Sequence, residues 1–457
     1  TLTATGTGPI TWGLANGALP APLSLSSSGA ITGTPTATGT ATFTVQATNS
    51  LGTATATLSI VINPIINTTP SNSSGPYGSF DTPINNTTGI AGEIAVTGWA
   101  LDSVGVAKVD IWREPVGNEP VASNGFVYIG DAVFVAGARP DVVAAYPNVP
   151  FNYRAGWGYL MLTTGLPNNG GSPGPGNGTY RLHAIAHNTA GTAVDLGTRT
   201  ITVDNAHATK PFGTIDAPLQ GGTLSGTVIN FGWALTPQPY MIPADGSTIA
   251  VTVDGQVVGH PVYNQYRGDI ATSFPAYANS NGAVGYFYLD TTTLTNGVHN
   301  IGWLVHDNAG RTNGLGSRYF TVLNSGAGAA AAPQAAALPG VTGGVRLRRG
   351  YDLNTAPQLL TPETDGTLLV EVEELGRIEL QVGATEGYLL VNGERSPLPI
   401  GSSLNAGVFY WQLGPGFLGD FDLVFLSNQS DGSVQEIAAR VHVRAGTETT
   451  VARTWLQ

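Results

Sequence analysis

The residues with the clearest potential for chemistry are two arginine–aspartate pairs of identical spacing, Arg139 with Asp141 and Arg267 with Asp269. Residues two apart on an extended segment face the same side, so each guanidinium can hold its own carboxylate or a nearby loop backbone. The chemistry expected is a structural clamp on the loops that continue to Tyr146-Pro147 and Phe274-Pro275. Arg267-Gly268-Asp269 also spells an integrin-binding tripeptide, but the matching residue in the first copy is Pro140, so the glycine is incidental. His183 and His187 stand four apart on one strand face, and His187 matches His306. Two imidazoles fall short of the roughly three or four ligands a metal site needs. Asp204-Asn205 and Asp307-Asn308 could offer oxygens to calcium, which takes about six to eight. No Asp-x-Asp-x-Asp run accompanies them, and turn formation is their default role. Calcium is the one cofactor these residues suggest. Gly222-Thr-Leu-Ser-Gly226 lacks the strand–turn–helix setting of a nucleophile elbow, and no phosphate-cradling glycine loop is present. A non-enzymatic chain is expected.

The paired sites belong to a tandem duplication. Gly78-Ser-Phe-Asp-Thr-Pro83 returns as Gly213-Thr-Ile-Asp-Ala-Pro218, and Gly98-Trp-Ala-Leu101 as Gly232-Trp-Ala-Leu235. Ile185-Ala-His-Asn-Thr-Ala-Gly191 returns as Val305-His-Asp-Asn-Ala-Gly310, and each copy closes on a Thr-Val strand. A repeat this long means whole domains in series, not a solenoid. The matched Trp99 and Trp233 are expected to be core residues of their domains. Tyr286-Phe-Tyr288 is expected to alternate about one inward ring.

Composition sets the class. Gly (62) and Pro (30) mark turns, charged residues make up only 11%, and hydrophobic residues reach 42%, too many for a disordered chain. Runs of Val, Ile, Thr, Tyr and Phe indicate β cores, with little helix. A net charge of −12 argues against nucleic acid as partner. Lys108 and Lys210 are the only lysines, and the absence of cysteine excludes disulfides. No apolar run is long enough to span a bilayer. The chain opens on residues that already read as a strand, so the first module is expected to be incomplete at its N-terminus.

Gly8-Pro-Ile-Thr-Trp12, Leu19-Pro20, Leu23-Ser-Leu25, Gly29-Ala-Ile-Thr-Gly-Thr-Pro35 and Phe43-Thr-Val-Gln-Ala-Thr-Asn49 resemble the putative-Ig, dystroglycan-type cadherin-like module of long secreted bacterial proteins. Family members often carry Asp where this chain has Asn49, which weakens any inherited calcium site. The duplicated segments, 76–206 and 210–324, resemble bacterial Ig-like domains. Residues 325–344 read as an Ala/Gly/Pro tether. Residues 345–457 follow the first module in order, from Leu398-Pro399 and Ser403-Leu404 to Gly407 and Phe421-Asp-Leu-Val-Phe425. The expected architecture is all-β: a string of four immunoglobulin-like or cadherin-like sandwiches, at 1–63, 76–206, 210–324 and 345–457.

That resemblance implies a secreted, cell-surface protein with a structural or adhesive role, as a stalk or a self-assembling filament subunit. Expected partners are further copies or neighbouring surface proteins, with glycans as a further class. Alternatives are a carbohydrate-binding accessory module of a larger secreted enzyme, which an exposed row of tyrosines would favour, and a calcium-dependent adhesin.

Overall fold

The computed structural model describes residues 2, 4, 6–21, 23–32, 39–62, 75–170, 176–324, 344–428 and 433–446. The chain forms two compact units, Thr1–Asn72 and Ser73–Gln457. The expected tether lies outside the described residues except for Gly344.

In the first unit, Thr11–Gly17 pairs antiparallel with Gly39–Asn49, which pairs in turn with Gly52–Ile62. A short hairpin joins Ser24–Leu25 to Ile31–Thr32. Gly29, at its turn, has φ +86°, and a Cβ there would sit 2.9 Å from the Trp12 ring, so both backbone and space require glycine. Asn49 is a turn former: its Oδ1 accepts from the Leu51 and Gly52 amides, and its Nδ2 donates to the Thr7 carbonyl.

The second unit holds three two-sheet sandwiches. In the first, the sheet Val133–Phe134, Gly156–Leu162, Glu93–Leu101, Tyr77–Thr82 faces a five-stranded sheet built around Val106–Arg113 and Gly178–Asn188. In the second, the sheet Phe212–Ala217, Thr227–Leu235, Val284–Asp290, Val262–Gln265 faces one built around Thr312–Val322 and Gly297–His306. Each copy adds a short parallel strand, Thr87–Ile90 in one and Gly222–Leu224 in the other. Asp254-Gly255 turns a tight hairpin between Ile249–Val253 and Gln256–Gly259, with both turn residues at positive φ.

The third sandwich follows the pairing order of the N-terminal module. A hairpin, Ser402–Asn405 with Val408–Gln412, precedes the long pair Gly419–Asn428 with Val434–Arg444. Gly407 turns the hairpin at φ +78°. Glu386–Val391 lies against Gly419–Asn428, as Thr11–Gly17 lies against Gly39–Asn49.

The duplicates fill their cores by different routes. Trp157 on Gly156–Leu162 and Trp303 on Gly297–His306 are both fully buried between sheets. Strand register places Trp157 opposite Gly98 and Gly285 opposite Gly232, so Gly285 holds the place of Trp157. A Cβ on Gly285 would lie 3.3 Å from the Trp303 ring: in the second copy the indole that fills this space comes from the facing sheet. Trp99 and Trp233, expected to be core residues, pack on the outer side of their sheets, where Trp233 is buried in a separate apolar cluster and Trp99 only partly. Trp99 is half-buried against Tyr77 and Tyr146, and Trp233 is buried among Phe212, Phe274 and Tyr277. The reason is parity: Val96 on one strand and Val228 on the other face the core, Gly98 and Gly232 share their side, and each Trp must point outward.

Candidate functional site: interdomain seams and an open aromatic face

The arginine clamps reach further than their own loop. Arg139 is buried, donates through Nε and Nη2 to Asp141 at 2.9 and 2.7 Å, and pairs with Asp81 of the first strand. Burial pulls its pKa down, but Asp141 and Asp81 more than offset this and the net shift is upward. Arg267 repeats the arrangement, 2.7 Å from Asp269 and paired with Asp216. Hydrogen bonding to Arg267 holds the Asp269 carboxyl below its ordinary value. Each pair opens a one-turn helix, Pro140–Ala145 or Gly268–Ser273, so the arginine ties that helix to the first strand. The charges of the Arg-Gly-Asp tripeptide thus engage each other and Asp216.

A second repeated arginine escaped the sequence reading. Arg199 and Arg318 each donate to the carbonyl of the matched first-strand residue, Phe80 and Ile215 respectively. The shared Leu-Gly-(Thr/Ser)-Arg motif at 196–199 and 315–318 carries the signal.

Each histidine of the candidate pair has its own acid. His183 Nδ1 lies 2.8 Å from Asp195 with its ring stacked on Phe126, while His187 Nε2 lies 2.7 Å from Asp110. The two do not converge. Asp204 accepts from His207 Nδ1, and buried Asn205 accepts from the Gly92 amide and Thr163 while donating to the Gly176 carbonyl. Asp307 accepts from Thr236, Ala309 N and Arg311, and Asn308 accepts from the Met241 amide. Burial alone would raise the Asp307 pKa, but these donors, led by Arg311, turn the shift downward. Among the described residues, no group of three or more His, Cys, Asp or Glu is gathered as for a metal ion.

The three sandwiches of the second unit are locked by polar seams. Glu374 of the third is buried against the first, where Oε1 accepts from Thr97 at 2.9 Å and Thr82 at 3.2 Å. Burial pushes its carboxyl up to about 7, the two hydroxyls only partly opposing the shift. Val135 and Ala138 of the first sandwich belong to the same apolar cluster as the third. The Pro415-Gly416 backbone occupies the space a side chain at Gly158 would need. Against the second sandwich, Gln412 Nε2 donates to the Gly316 carbonyl, Ser317 Oγ to that of Gln412, and Ser403 Oγ to that of Asp254.

The position matching Gly158 in the second copy is Tyr286: Gly158 follows Trp157 and pairs with Thr97, and Tyr286 follows Gly285 and pairs with Phe231. Here the sheet's outer face is open and aromatic. Tyr286 pairs across strands with Phe231 and Val262, and Tyr288 with Ile229. Tyr288 is 64% exposed and Val262 52%, with the two tyrosine rings 5.7 Å apart edge to face. Phe287 between them packs inward.

The family model described as Putative Ig domain matches residues 1–63. No curated protein matches the chain in sequence. Among solved structures, fibronectin(III)-like modules of Clostridium thermocellum CbhA are 14% identical, covering 54% of this chain and 94% of theirs at a TM-score of 0.17. An endo-beta-1,4-mannanase from Thermotoga petrophila is 18% identical over 25% of this chain and 20% of its own, with a TM-score of 0.18. The N-terminal eight Ig domains of Down Syndrome Cell Adhesion Molecule are 8% identical over 95% of this chain and 50% of theirs, at 0.19. At such TM-scores the architecture rests on strand pairing. The chain is a multidomain all-β protein of two-sheet sandwiches, and its first 63 residues are similar to the Putative Ig domain. Among the described residues, no helix is long and apolar enough to cross a membrane.

Proposed function

We propose that the chain is a non-catalytic structural and adhesive protein acting outside the cell, as a surface stalk or as a subunit that assembles with its own copies. The observation that carries this reading is the locking of three sandwiches into one unit through buried polar groups. Glu374 on Thr82 and Thr97, and Gln412 on Gly316, fix relative orientation at sites where freely hinged domains would keep those groups in water. Such seams suit a stiff spacer that bears load or sets distance. For assembly, the N-terminal module offers the long edge strand Gly52–Ile62, paired on one side only among the described residues. Negative-stain microscopy with light scattering on the purified chain separates the two forms. Regular fibres support the subunit; a monodisperse particle of about 47 kDa leaves the stalk.

A second reading, carbohydrate binding, is favoured by the open Tyr286–Tyr288 face, because exposed aromatic patches on stable sheets commonly mark binding surfaces. Tyr288→Ala should abolish retention on an immobilised polysaccharide while leaving the unfolding midpoint unchanged. Retention unaffected by that substitution would remove this reading.

A further inference from the structure

A cleft of about 510 Å³ runs between the two duplicated sandwiches, with Pro415 of the third at its rim. We propose that it binds a carboxylate-bearing sugar, with Arg318 as the anchor for the carboxylate. This goes beyond the stalk or subunit role and depends on neither.

The duplicates themselves supply the argument. In the first copy both Nη atoms of Arg199 are used and only the buried Nε lacks a partner among the described residues: Nη1 donates to the Thr198 carbonyl, Nη2 to the Phe80 carbonyl, and the guanidinium lies 5.3 Å from the Phe80 ring centre. In the second copy Ile215 replaces that phenylalanine and the ring is lost. Arg318 places Nε and Nη2 on the single Ile215 carbonyl, at 3.1 and 2.8 Å. Its Nη1 has no partner and no carboxylate pairs with it among the described residues. Burial lowers its pKa, only partly opposed by Asp216 and the Tyr159 hydroxyl, so the cation is desolvated without a direct counter-charge. A guanidinium in that state is suited to an incoming carboxylate, which it can meet with the free Nη1 and the second Nη2 proton.

The other charged groups of the cleft are already committed. Both Nη atoms of Arg113 go to Glu119, Asp216 pairs with Arg267, and Asp131 accepts from the Tyr128 hydroxyl. The carboxylates keep lone pairs for further donors, and Gln220 and Tyr159 add polar groups nearby. One unpaired cation surrounded by hydroxyl-matching groups, with Leu160 and Pro415 as apolar walls, fits an acidic sugar better than a neutral one. The volume is in the range for a small ligand, about 300–1,000 Å³.

Calorimetric titration of the whole chain with D-galacturonate, D-galactose and trialanine tests the assignment. Galacturonate should bind one to one and at least about 10-fold tighter than galactose, a discrimination of about 1.4 kcal/mol. Arg318→Gln should weaken galacturonate at least 10-fold and leave galactose unchanged. Tyr159→Phe, which removes only a hydroxyl whose sole carbonyl contact is 3.4 Å long, should weaken it several-fold without moving the unfolding midpoint. The proposal is overturned by equal binding of the two sugars, by trialanine binding as tightly as galacturonate, or by no heat up to about 10 mM. Should Arg318→Gln fail to fold, wild-type affinity in Tyr159→Phe is also sufficient to overturn it.

Discussion

Replacing Glu374 with glutamine should remove a specific pH dependence from the stability of the second unit. The carboxyl is buried at the seam between the first and third sandwiches, where it meets two threonine hydroxyls, the Gly446 amide and, among the described residues, no paired cation. Burial raises its pKa from 4.5 to about 7. A group raised on folding contributes its full stability below the unfolded value and loses it as pH climbs through the folded value. The loss therefore begins near pH 4.5 and is complete just above pH 7. At roughly 1.4 kcal/mol per pH unit, the interval corresponds to about 3 kcal/mol. Glutamine keeps the shape and the acceptor for Thr97 without titrating. Urea unfolding followed at pH 4.5 and pH 8 is the assay. The variant should match the parent at pH 4.5 and exceed it by about 3 kcal/mol at pH 8. Comparing parent with variant cancels every group common to both. Identical pH profiles, or a variant weaker than the parent at pH 8, would refute the reasoning.

Three further outcomes follow from the same geometry. Arg139→Ala should cost about 3–5 kcal/mol, because it strands the partly buried Asp81 beside Glu374, whereas Arg267→Ala, at a more exposed clamp, should cost about 1 kcal/mol; equal losses in chemical denaturation would show that burial is not the deciding factor. Gly98→Ala should prevent the first duplicate from folding, since the new Cβ would fall 2.0 Å from the Ser79 carbonyl oxygen and 2.5 Å from the Trp157 ring; a soluble variant with the parent's near-ultraviolet dichroism would contradict this. A chelator should move the melting temperature by less than about 1 °C, because Asp307 is held by Arg311 and the Asn205 amide is used at both ends; a drop of several degrees would point to a bound cation that contributes to folding.

Much of this architecture was legible from residues whose signal is local. The Asp254-Gly255 hairpin, the alternation of Tyr286-Phe-Tyr288 and the arginine–aspartate pairing each follow from spacing within a few positions. What escaped were properties set by neighbours far along the chain. Trp99 and Trp233 look like core residues by type, yet the glycine before each takes the inner side of the strand and turns the indole outward. Glu374 ends the acidic run Glu371-Val-Glu-Glu374, and nothing in that run sets it apart from its neighbours. Its burial depends on Thr82 and Thr97, nearly 300 residues earlier, and no periodicity encodes that contact. The Arg318 cleft has the same origin, since it exists only because another domain's edge stands across from it.

The duplication explains why the two copies now differ where they do. The first copy has no side chain at Gly158, and the Pro415-Gly416 backbone fills the space. In the second copy no other sandwich of the second unit covers the strand Val284–Asp290 among the described residues, and tyrosines stand at its outward positions. The arginines on the last strand differ in parallel: Arg199 has the Phe80 ring beside it, and Arg318 has Ile215 in that place and a cleft beside it. In both comparisons the fold-defining contact survives, whether the glycine-paired strand or the arginine-to-carbonyl bond, and only the outward chemistry changes. Selection for packing acts on the first kind of residue, and the second kind is where two domains of one origin can acquire different partners.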